Sequence, residues 1–83
     1  MKNNINFIKK QIIYRCSHSS IKETDILYRN YFINKIDKFN KDELKLIVNL
    51  LSEFSDIEIY KIISSKIIPN IKYKSLINKI IHY

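Results

Sequence analysis

Eighty-three residues, 46% hydrophobic and 12% aromatic, suffice for one packed domain over 1–83, exclude a disordered chain and leave no room for a cleft between two lobes. The net charge of +7 admits an acidic partner, but every basic residue except Arg15 and Arg29 is a lysine, and base composition accounts for Lys, Ile and Asn enrichment as well as phosphate binding does. The absence of glycine excludes a glycine loop that cradles phosphate, and Cys16, alone of its kind, excludes an internal disulfide and a cysteine metal cluster.

Apolar residues recur at helical spacing nearly throughout, and alternation of the strand type is scarce. The spacing predicts a first helix from about Asn3 to Arg15, with Ile5, Ile8, Ile12 and Cys16 on one stripe. A polar break at Ser17 to Ser20 follows, where Ser20 and Glu23 have the spacing of a capping box. A second helix is expected from about Ile21 to Asp37, burying Leu27, Tyr28, Tyr31 and Phe32, before a break at Phe39 and Asn40.

Asn40 and Glu43 open a third helix whose Leu44, Ile47, Val48 and Leu51 form an i, i+3, i+4, i+7 face. Ser55 and Glu58 repeat that arrangement ahead of Ile59, Ile62 and Ile63. Pro69 interrupts the chain, and a last helix carries Tyr73, Leu76, Ile77, Ile80 and Ile81. The expected fold is therefore all-α, a compact bundle of about five short helices.

Enzymatic signals are poor. His18 and His82 have no metal-ligand spacing with Cys or acid, and Asp42 and Glu43 sit where a first helical turn favours negative charge. No apolar run reaches the roughly 18 residues needed to span a bilayer, so no stable membrane insertion is expected. Lys72, Lys74 and Lys79 beside the last apolar stripe are compatible with a helix at a membrane surface or, more simply, with core packing. Every acid lies between Glu23 and Glu58, so the two tails, packed side by side, would present a positive surface.

The hinge after the first helix crowds Tyr14, Arg15, His18, Ser19, Ser20, Lys22, Glu23 and Asp25 together. Here the chain resembles the succinate dehydrogenase assembly factor 2 family, the flavinators. Lys9 to Arg15, reading KKQIIYR, is similar to the family's basic lead-in. Glu23 and Asp25 stand where the family has its acids, and Ile26-Leu27 continues as its apolar helix does. Phe39 through Leu44, Leu50-Leu51 and Asp56-Ile57-Glu58-Ile59-Tyr60 resemble its later steps in order, so the likeness covers roughly residues 9 to 68. Ser19-Ser20 replaces the family's Arg-Gly, and Ile62 stands near its common Trp.

The resemblance implies an assembly chaperone, not an enzyme. It would bind the flavoprotein subunit of succinate dehydrogenase, or of fumarate reductase, and promote covalent attachment of FAD. The FAD would be carried by that partner and none bound by the chain itself. The implied contact residues are Tyr14, Arg15, Ser19, Ser20, Ile21, Glu23 and Asp25. A monomer when free, in a bacterial cytoplasm or alternatively a mitochondrial matrix, with no nucleic-acid partner, completes the expectation. The alternative is a small basic helical nucleic-acid binder, which needs its cations gathered on one face.

Overall fold

The computed structural model describes residues 4–19 and 22–82, and five α-helices with no strand are found among them. Helix α1 spans Ile5–Ser17, opened by Asn4, whose side chain accepts from the Phe7 N–H at 2.8 Å. Its Ile8, Ile12 and Cys16 lie one above the other and are buried. Ile5, expected on the same stripe, is more than a third exposed. Spacing shows which face a residue shares but not where the covering element stops.

The second helical segment departs from the single long helix expected. Helix α2 covers Lys22–Tyr28 and passes directly into a π-helical turn at Arg29–Ile33, closed by the Asn34 N–H on the Arg29 carbonyl at 2.9 Å. A 3₁₀ turn at Ile36–Lys38 completes the descent to Asn40. Tyr28 and Phe32 stay fully buried across the junction, their ring centroids 5.8 Å apart. A wide turn keeps most of the helical hydrogen bonds while shifting the register by a residue, so a periodicity of 3.6 passes over it unseen.

Two of the three expected capping boxes form; the third, Ser20 with Glu23, rests on a residue outside those described. At α3, Lys41–Glu53, the Asn40 side chain accepts from the Glu43 N–H at 2.9 Å, and Glu43 accepts from the Asn40 N–H at 2.8 Å. At α4, Asp56–Ser64, Ser55 and Glu58 make the reciprocal pair at 3.3 and 2.9 Å. Each cap satisfies two N–H groups that the helix leaves free, and losing one costs about 1 kcal/mol.

Helix α4 ends in a tight turn. The Ile67 N–H reaches back to the Ile62 carbonyl at 2.9 Å, and Lys66 takes a left-handed backbone with φ 56°. After Pro69, Asn70 caps a 3₁₀ turn at Ile71–Tyr73 that leads into α5, Lys74–His82.

One hydrophobic cluster draws on all five helices. Helices α1 and α5 each pack on α3 and on the π turn, and α2 packs on α4. The two basic tails therefore take α3 and the π turn, rather than each other, as main neighbours. Cations of both tails pair with acids of the chain itself. Lys9 meets Asp37 at 2.7 Å, and Lys79 meets both Glu43 oxygens at 2.7 and 2.9 Å. The last apolar stripe of the chain, Tyr73, Leu76, Ile77 and Ile80, is buried in the core.

Glu43 thus serves two helices. Partial burial pushes its carboxyl up, but the Lys79 ammonium and the Asn40 N–H together outweigh that and hold it below the usual range. Because the folded value is depressed, the stabilisation is complete above the unfolded value of about 4.3 and is lost as pH falls through the folded one. Urea midpoints measured from pH 7 downward are expected to show a loss of about 1 kcal/mol below about pH 4. Glu43→Gln should remove that part of the acid sensitivity.

Candidate functional site

The hinge is held from below by a charged network. Arg15, in the last turn of α1, places Nη1 2.7 Å from Oδ1 of Asp56, the first residue of α4. The Tyr28 hydroxyl donates to the same oxygen at 2.6 Å, and the guanidinium carbon lies 5.8 Å from the Tyr28 ring centroid. Burial pulls Arg15 down, but the hydrogen bond and charge of Asp56 carry it above its ordinary value. Burial, followed by the bond to Asp56, pushes Tyr28 well above the ordinary phenol range, so its hydroxyl remains a donor. Arg15, expected at a partner contact, joins α1, α2 and α4 and keeps 35% of its side chain exposed.

Cys16 lies beside this network, fully buried, and desolvation pushes its thiol up to about 12. It is a thiol at neutral pH and packs as a small apolar group.

Above the network the hinge faces outward. Tyr14 is 68% exposed, and its ring centroid lies 4.2 Å from that of His18. The His18 Nδ1 is 2.7 Å from the Tyr14 carbonyl, so a protonated Nδ1 donates there. Ser19 is half-buried, while Ser20 and Ile21 fall outside the described residues, together with the expected Ser20–Glu23 cap. Glu23 is exposed in the first turn of α2. Asp25, on the same turn, accepts from Arg29 at 3.4 Å in an i, i+4 pair. It is the more occupied of the two acids.

Glu23 borders a groove of about 290 Å³ between α2 and α4, lined also by Thr24, Ile57, Tyr60 and Lys61. Ile57 is 52% exposed and Tyr60 is exposed as well, so the groove has an apolar wall, with Glu23 and Lys61 supplying opposite charges. Ile26, one turn beyond Glu23, adds another exposed apolar side chain on α2. Thr24 is only 1% exposed, and its Oγ1 makes no hydrogen bond among the described residues. A buried hydroxyl left in that state costs on the order of 1 kcal/mol. Thr24→Val, which keeps the shape, is expected to raise the unfolding free energy by about that amount in a urea titration.

Ile57, Tyr60 and Lys61, which the structure places beside Glu23, are not in the contact set read at the hinge. The available signal was their phase. Ile57 and Tyr60 are three apart, off the buried stripe of Ile59, Ile62 and Ile63, and so form an apolar pair on the outer side of α4. No set of three His, Cys, Asp or Glu side chains comes together to hold a metal among the described residues.

A family model described as flavinator of succinate dehydrogenase matches residues 10–83. No curated protein and no solved structure matches the chain.

Proposed function

The chain belongs to the family of succinate dehydrogenase flavinators, and from that membership we propose that it is an assembly chaperone which binds the flavoprotein subunit and promotes covalent attachment of FAD. The flavin belongs to the partner, and the partner's own side chain makes the bond. The observation that carries this reading is the exposed Glu23 at the lip of the apolar α2–α4 groove.

Such a surface can hold a segment of the flavoprotein through an apolar side chain while Glu23 takes a cation or N–H donor beside it. The Arg15–Asp56–Tyr28 network fixes α1, α2 and α4 beneath that surface. A surface fixed in advance loses little entropy on docking. The contact set implied by the resemblance also takes in Tyr14, Arg15, Ser19 and Asp25, together with Ser20 and Ile21, which lie outside the described residues. The reading extends to a bacterial cytoplasm or a mitochondrial matrix, wherever the flavoprotein acquires its flavin. The structure contains no helix long and apolar enough to cross a membrane among the described residues.

The nucleic-acid reading has less support. Arg15 is taken by Asp56 and Arg29 by Asp25, so both guanidinium groups face carboxylates of the chain itself.

The deciding experiment combines the full chain with the flavoprotein subunit lacking covalent flavin, in the presence of free FAD. Complex formation is followed by size-exclusion chromatography, and covalent flavin by fluorescence of the denatured subunit. Both are expected to rise with the chain present, and Ser20→Gly should raise flavin attachment further. Recovery of nucleic acid with no flavoprotein from a native lysate would sink the proposal.

A further inference from the structure

The connection from α4 to α5 presents apolar side chains that the bundle does not cover. Ile71 is 77% exposed and Ile67 49%, and Ile68 between them is exposed as well. A single exposed isoleucine is ordinary, but three within five residues form a patch. Lys66 precedes them and Lys72 and Lys74 follow, all exposed. No acidic residue occurs after Glu58 in the chain. Glu53, which reaches this end, is met by the Tyr73 hydroxyl at 2.8 Å and by Lys72 at 3.7 Å.

The segment is also held in shape. The Ile67 N–H bond to Ile62 closes one end, Pro69 restricts the middle, and the Asn70 side chain accepts from the Lys72 N–H at 3.1 Å at the other. Its apolar tip is ready-made and needs little ordering before contact.

We propose that the segment from Lys66 to Lys74 is a peripheral contact for an anionic lipid surface, with the isoleucines entering the boundary between headgroups and acyl chains and the lysines meeting the headgroups. The residue types decide between a bilayer and a protein. Protein interfaces are enriched in aromatics and arginine and depleted in lysine. The exposed set here is isoleucine and lysine, the pairing in which a flexible cation extends to the headgroups while apolar atoms sink. Such contact is reversible and requires no spanning helix.

The test is co-sedimentation of the full chain with vesicles of phosphatidylcholine alone and of phosphatidylcholine mixed with phosphatidylglycerol. Binding is expected only to the mixed vesicles and should fall as salt is raised. Ile71→Asn should weaken it about tenfold. Lys66→Asn, which keeps a residue tolerant of the left-handed backbone, and Lys74→Gln should each weaken it about fivefold. Lys45→Gln, at an exposed lysine of α3, removes the same charge away from the segment and should change binding far less. No binding to the mixed vesicles overturns the proposal. So does equal loss from Lys45→Gln and Lys74→Gln with none from Ile71→Asn, which would reduce the effect to net charge. Capture by soluble polyglutamate without vesicle binding would assign the segment to an acidic protein and likewise overturn it.

Discussion

Asp56→Ala is expected to lower the unfolding free energy by about 3 kcal/mol and the melting temperature by about 15 °C, followed by circular dichroism. One carboxylate oxygen accepts from both the Arg15 guanidinium at 2.7 Å and the Tyr28 hydroxyl at 2.6 Å. The Asp56 side chain is 15% exposed and that of Arg15 35%, so solvent screens the pair only in part. Removing the acid leaves a partly buried cation without its counter-charge and a buried hydroxyl without its acceptor. It also takes a negative charge from the first turn of α4, where the helix dipole favours one. Tyr28→Phe deletes a single bond and keeps the ring, so it should cost only about 1 kcal/mol. A loss below about 0.5 kcal/mol for Asp56→Ala would put the network among surface ion pairs of little consequence.

Glu23→Lys is expected to weaken binding of the flavoprotein about a hundredfold, with a parallel fall in covalent flavin and only a small fall in melting temperature. The side chain is exposed in the first turn of α2, so the fold loses only a favourable charge at the helix start. Reversal removes the acid and sets a second cation in the groove, near Lys61. Glu23→Gln keeps shape and hydrogen bonding and should cost roughly tenfold. Asp25→Asn should matter less, because Asp25 is already shared with Arg29. Titration of the subunit with each variant separates them. Undiminished affinity for Glu23→Lys would move the docking surface elsewhere on the molecule.

The parts of this fold that could be read in advance are those decided within one or two helical turns. The starts of α3 and α4 are local bargains between a cap and a glutamate three residues on, and the spacing states them. The buried stripes of α1, α3, α4 and α5 follow from periodicity for the same reason. The π turn at Arg29–Ile33 is absent from any such pattern, because its wider register answers to Tyr28 and Phe32 packing together in the core. Of the site, Glu23 was legible as an exposed acid at a helix start. The groove beside it was not, since it exists only where α2 lies against α4. The role of Arg15 was hidden likewise, because Asp56 reaches it from a distant part of the chain.

The left-handed lysine at the end of α4 bears on how the missing glycines are interpreted. Lys66 holds φ 56° in a chain that contains no glycine, at a position where a side chain costs on the order of 1 kcal/mol. The absence of glycine therefore does not bar a left-handed turn in this polypeptide: Lys66 forms one with its side chain in place.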